Sequence, residues 1–168
     1  LSMLTIEQAK RELEIAVQNN PGPWEQHSLV AADNARRIAK KAGMNPEKAY
    51  IMGLLHDIGR RVGVTGMLHL IDGYDYMMRI GEPDLARICL THSFPIRDVN
   101  TFFGKYDCTQ EQLDFLDAFL KQQEYDDFGF FETPQQPIRQ PQKQEPAVNF
   151  LHILLLITPD LKTADMKL

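Results

Sequence analysis

The chain has 168 residues, 43% of them apolar, which suits one domain with a sizeable core. Its 18 basic and 23 acidic side chains leave a net charge of −5, which argues against the backbone of a nucleic acid as the main partner. Two cysteines, Cys89 and Cys108, stand far apart in no metal-ligand spacing, so a reducing cytoplasm is expected and a disulfide framework is not.

Leu1 and Ser2 ahead of Met3 read as an upstream extension, and no charged-then-apolar leader follows. Thr5 with Gln8 forms a capping-box signature, and Ile6, Ala9, Leu13, Ala16 and Val17 recur at helical spacing. The stretch Asn19-Asn20-Pro21-Gly22-Pro23 stops that helix. A second is predicted from Trp24, with His27, Val30, Ala31, Asn34 and Ile38 on one stripe and Gly43 closing it. Asn45-Pro46 restarts a third, Asn at the cap and Pro in the first turn, which carries Ala49, Tyr50, Met52, Leu55 and His56 to an end at Gly59.

Residues 60–66 read as a loop rich in Gly and basic groups. Met67 to Ile80 reads as a helix closed by Gly81, and Asp84 to His92 as a short one broken at Phe94-Pro95. An irregular connection over 97–108 is expected to anchor through Phe102, Phe103 and Tyr106. Thr109 with Gln112 caps a last helix facing inward with Leu113, Leu116, Phe119 and Leu120. The fold class is all-α, an irregular multi-helix bundle. Composition changes after Asp127: prolines 134, 137, 141 and 146 forbid a continuous helix, and the apolar run 150–157 is too short to span a bilayer. The expected division is therefore a domain over 1–127 and an atypical, partly Pro/Gln-rich tail over 128–168.

The chemistry concentrates at Gly53-Leu54-Leu55-His56-Asp57-Ile58-Gly59. Two adjacent polar side chains inside an apolar helix are costly to bury unless something uses both. A borderline divalent metal takes that mixture of nitrogen and oxygen donors, and His27 on a facing element can add another. A carboxylate at a helix C-terminus also meets the wrong end of the dipole, an objection that a neighbouring cation removes. Arg60 and Arg61 follow directly, and a guanidinium there could grip a phosphate bidentately. The bland reading of both is a solvated loop. Arg36-Arg37 and Lys40-Lys41 read as a wet helix face, Cys89, Phe115 and Phe119 as core, and Asp72 and Asp75 as solvated, with Asp75 the one that could turn toward a pocket.

Taken in order, Trp24-Glu25-Gln26-His27-Ser28, the His56-Asp57 segment with Arg60, His69…Gly73-Tyr74 and Thr91-His92-Ser93-Phe94-Pro95 resemble the HD superfamily of metal-dependent phosphohydrolases. They look most like an uncharacterised bacterial subgroup of it. The resemblance covers Met3 to about Asp127. It implies that His27, His56 and Asp57 bind one divalent transition metal (Mn, Fe, Co, Ni or Zn) with a distal Asp. The chain departs from the pattern at that Asp: Asp126 and Asp127 read as caps, and Asp165 near the chain end is the remaining candidate. His69 and His92 either hold a second ion, with Asp57 as the bridge, or contact substrate phosphate, and both readings stand open.

The implied activity is hydrolysis of a small phosphorylated substrate, a nucleotide above all, with Arg60, His69 and His92 neutralising charge in the catalytic step. No membrane or nucleic-acid partner is implied, and homo-oligomerisation stays open. Two alternatives remain: a non-catalytic or degenerate HD-type binding module, favoured by the missing distal Asp, and a di-iron oxygenase of related helical fold.

Overall fold

The computed structural model describes residues 4–122, and their order is six α-helices joined by short turns. They are α1 (Ile6–Asn19), α2 (Trp24–Lys41), α3 (Pro46–Leu55), α4 (Leu68–Arg79), α5 (Pro83–Thr91) and α6 (Gln110–Gln122), with 3-10 turns at Ile58–Val62 and Val99–Thr101. No strand occurs among the described residues, so the all-α bundle is what the chain forms. No helix among them is long and apolar enough to cross a membrane. The tail over 128–168, with Asp165, and the presumed caps Asp126 and Asp127 lie outside the described residues.

The local signals act as read. Thr5 Oγ1 accepts from Gln8 N at 3.2 Å while Gln8 Oε1 accepts from Thr5 N at 2.8 Å, satisfying two orphan donors at the start of α1. Asn45 Oδ1 caps α3 through Glu47 N and Lys48 N. Thr109 and Gln112 repeat the reciprocal cap at α6. Gly43 and Gly81 close α2 and α4 at φ +70° and +81°, where a side chain would be strained.

Helix α3 is the centre of the bundle. Every residue from Ala49 to Leu55 is buried, the mark of a helix covered on all sides. One apolar cluster joins α1, α2 and α3 to Met77 of α4 and to Leu85, Ala86, Ile88 and Cys89 of α5. A second joins Leu70, Ile71, Leu90, Phe94, Leu116 and Leu120. Helices α4 and α5 thus contribute to both and hold α6 to the rest.

Packing changed several details that spacing alone suggested. The buried residues of α2 are Trp24, Ser28, Ala31, Ala32, Ala35 and Ala39; of the expected stripe Ala31 is among them and Ile38 packs on the first cluster, whereas Val30 is 44% exposed. Small residues won because α2 and α3 come very close: a Cβ on Gly53 would stand 2.9 Å from Ala31 O and Ala32 Cα. The third helix ends at Leu55, earlier than Gly59, and the 3-10 turn Ile58–Val62 takes up the first part of the expected loop. Of the three expected anchors, Phe102 packs on the second cluster, whereas Phe103 is exposed and Tyr106 is held through its hydroxyl to Val99 O at 3.0 Å. Phe115 is exposed at the edge of the core, its ring 5.4 Å from that of Tyr74. Arg36 is not simply wet, since its guanidinium lies 4.1 Å from the centre of the Tyr50 ring.

Candidate metal centre

Four helix ends converge on one carboxylate. His27 stands in the first turn of α2, His56 follows the last residue of α3, His69 is the second residue of α4, and His92 follows the last residue of α5. Asp57 sits between them, just before the first 3-10 turn, with 3% exposure. Its Oδ2 lies 3.7 Å from His27 Nε2 and 3.6 Å from His56 Nε2. Its Oδ1 lies 3.1 Å from His69 Nε2 and 3.3 Å from His92 Nε2. The imidazoles neighbour one another around it, with centroids 5.0 Å apart for His27 and His56, 4.9 Å for His56 and His92, and 5.5 Å for His69 and His92.

Backbone carbonyls set the direction of three of these rings. His56 Nδ1 donates to Gly53 O at 2.6 Å, His69 Nδ1 to Gly66 O at 2.5 Å, and His92 Nδ1 to Cys89 O at 3.0 Å. A carbonyl only accepts, so each Nδ1 carries the hydrogen and each neutral ring presents the Nε2 lone pair. Those of His69 and His92 face Asp57 Oδ1, acceptor against acceptor, while His56 Nε2 lies 3.0 Å from His27 Nε2. Asp57 Oδ1 is buried with no properly formed hydrogen bond despite its two close imidazoles. A cation between the groups resolves both problems. Two donor sets, His27/His56/Asp57 and Asp57/His69/His92, each have ligating atoms within 4.8 Å of one another. The mixed imidazole and carboxylate set suits transition metals over Mg or Ca, and the carbonyl-bound Nδ1 is the support that metal-ligating histidines commonly have.

The family model for the HD domain matches residues 24–121, more than half of the chain. The chain belongs to the HD-domain family. No curated protein and no solved structure matches it. All five converging residues fall within the matched span, whereas α1 lies outside it yet buries Ala9, Leu13 and Ala16 in the first cluster.

The electrostatics of this HD-domain cluster favour neutral imidazoles at His27, His56 and His92 and an anionic carboxylate at Asp57. Burial is the main cause that lowers the His27 and His56 pKa values from 6.5 to about 4, and burial also lowers that of His92. Burial alone would raise the Asp57 pKa, but Arg60 and then His56 outweigh it and hold the carboxyl well below its usual range. For His27 and His56 the folded value lies below the unfolded one, so the unfolded chain takes up protons that the native state refuses. In chelator-treated protein, stability is therefore expected to be full above about pH 6.5 and to fall as pH drops toward about 4. Asp57 adds its own loss only at still lower pH. Thermal melts across that range check this, and a Tm flat from pH 7 to 4.5 would contradict it.

The two arginines divide their work. Arg60 Nε meets Asp57 Oδ2 at 3.0 Å with the side chain 29% exposed, and Asn20 Nδ2 donates to the Arg60 carbonyl at 2.6 Å. Arg61 is not on a solvated face: its guanidinium stacks 3.8 Å from the centre of the Tyr76 ring, and Tyr76 donates its hydroxyl to Glu12. Glu12, Arg61 and Tyr76 thereby tie the 3-10 turn to α1 and α4. Asp72, not Asp75, turns inward: Asp75 is exposed, whereas Asp72 Oδ2 is buried without a hydrogen bond and burial raises that carboxyl's pKa. Cys89 is buried, 3.5 Å from Leu55 O, with its thiol pKa pushed far up by burial, which leaves it a packing residue.

Sequence reading passed over Asn20, Glu12, Tyr76 and Asp107 as members of this neighbourhood. Tyr76 and Glu12 carry no local signature. For Asp107 a signal existed: α4 begins after Met67 with no side-chain cap of its own, so its cap had to come from elsewhere.

Proposed function

We propose that this HD domain is a two-metal phosphohydrolase acting on a nucleotide or another small phosphate ester. The observation that carries the reading is that the two oxygens of Asp57 each face a different pair of histidines. His27, His56 and Asp57 Oδ2 would hold one ion, and His69, His92 and Asp57 Oδ1 the second. This geometry supports His69 and His92 as ligands over the alternative in which they touch substrate phosphate. Mn, Fe, Co, Ni and Zn all suit the donors. Bound divalent ions would supply Lewis acidity toward a phosphoryl oxygen and toward water. The chain's own part is to keep His27, His56 and His92 neutral and Asp57 anionic, to fix ring direction through backbone carbonyls, and to shield the cluster from bulk solvent. The free cysteines fit a cytoplasmic setting.

Arg60 is the proposed phosphate contact. Its Nε is committed to Asp57, and with the side chain 29% exposed its other guanidinium nitrogens would meet phosphoryl oxygens beside the donors. Arg60→Ala is expected to lower turnover about a hundredfold while metal content stays at the level of the unsubstituted protein. Unchanged turnover would return Arg60 to a purely structural pairing with Asp57.

The activity itself is tested by loading the chelated protein with each metal and measuring inorganic phosphate released from a panel of nucleoside mono-, di- and triphosphates. Metal-dependent release from at least one class is expected. Metal binding without release from any would favour a non-catalytic binding module, and oxygen uptake by the iron-loaded protein would favour an oxygenase.

A further inference from the structure

The start of α4 carries His69 and has no cap from its own sequence. Met67 occupies the N-cap position and offers no side-chain acceptor. The first N–H groups of a helix nevertheless need partners, and here a residue some forty positions later supplies them. Asp107 Oδ2 accepts from Gly66 N at 2.7 Å and Asp107 Oδ1 from Leu68 N at 2.9 Å. Between these, Met67 N donates to Lys105 O at 2.8 Å, so three consecutive N–H groups are bound by the segment 105–107. The fit leaves no room: a Cβ on Gly66 would stand 2.1 Å from Lys105 O. A carboxylate at this end also meets the positive pole of the helix dipole. Burial would raise the Asp107 pKa, yet the backbone N–H groups of Gly66 and Leu68 outweigh it and lower it.

The peptide so held has a second use. Gly66 donates its N–H to Asp107, and its carbonyl accepts from His69 Nδ1 at 2.5 Å. The Gly66 carbonyl therefore decides which nitrogen of His69 faces Asp57. We infer that Asp107 is a positioning residue for the His69/His92/Asp57 donor set, acting through Gly66 to fix the His69 tautomer and direction. The inference rests on the two-metal reading for its consequence, but its structural link is independent of any ion. Asp107 acts on the turn, through Gly66 N and Leu68 N, and not on a ligating atom. Its contribution is to remove the freedom of the turn 66–68, so that His69 Nε2 offers a lone pair at a defined place.

The test compares Asp107→Ala and Asp107→Asn with the unsubstituted protein by two measurements. Nitrogen-15 spectra of the histidine side chains in chelated protein read the His69 tautomer, and manganese titration reads the affinity of each bound equivalent. In the unsubstituted protein His69 is expected in the Nδ1–H form. In Asp107→Ala it is expected to become a tautomer mixture, with one manganese equivalent weakened about tenfold and the other unchanged, the scale of losing an outer-shell support. Asp107→Asn keeps one acceptor and should lie between, and it carries the test alone if the alanine variant does not fold. An unaltered His69 tautomer in the folded variants, or equal weakening of both equivalents, would overturn the inference. Failure of the two-metal reading shows separately, as fewer than two equivalents in the unsubstituted protein, and the tautomer then decides the role of Asp107 either way.

Discussion

Asp57→Asn is expected to remove both bound ions near neutral pH, whereas His56→Ala is expected to remove one and leave the other. The difference follows from placement. Asp57 offers one oxygen to each histidine pair, so losing its charge strips a ligand from both donor sets, while His56 belongs to one of them. Loss of an outer-shell partner alone costs about 10–100-fold in affinity, and loss of a shared anionic ligand should exceed that. Helix content should hardly change, because Asn keeps the shape of a residue that lies outside the apolar clusters. Metal analysis of the two purified variants beside circular dichroism checks the pair. Equal retention of metal in both would remove Asp57 from the centre of the site.

Gly59→Ala is expected to be the most destabilising single methyl addition near the site. Gly59 lies in the 3-10 turn two residues after Asp57, and a Cβ there would stand 1.9 Å from His69 O and 2.5 Å from Gly73 N. Both are backbone atoms of α4, so no side chain can turn aside. Gly73 in turn has Cys89 Sγ of α5 at 3.1 Å from its own Cβ position, which blocks α4 from backing away. Overpacking a tight interior costs about 1–3 kcal/mol where side chains yield, and a backbone obstacle places this case at about 3 kcal/mol or above. A drop in Tm of about 10 °C is then expected, together with weakened metal binding, because the same movement parts Asp57 from His69. Gly43→Ala is the control: it meets only open space and should cost about 1 kcal/mol for its positive φ. Similar melts for the two variants would contradict the close approach.

The role of Gly59 also shows how far sequence reading reaches. A glycine after an apolar helical run reads as a helix stop, yet Gly59 has no positive φ, and close contact with α4 accounts for it. That contact is a tertiary fact with no local trace. The helices themselves were legible because their caps are local chemistry: Thr5 with Gln8, Asn45 before Pro46, Thr109 with Gln112. On α2 the stripe held at Ala31 and Ile38 but not at Val30, because hydrophobicity favours valine whereas close helix approach favours alanines. At the site, the order of His27, His56-Asp57, His69 and His92 pointed to one neighbourhood, and the chain brings all five together. What spacing could not give is which Asp57 oxygen faces which ring, since that depends on the Nδ1 bonds to carbonyls. Arg61 likewise read as a loop residue until Tyr76 and Glu12, distant in sequence, were seen beside it.

If Asp57 serves both histidine pairs, each chain would hold two ions, and the number retained decides it. Protein stripped with chelator, reloaded with manganese or iron near pH 7.5 and desalted should retain two equivalents per chain. Retention of one equivalent, or of none, would contradict the account.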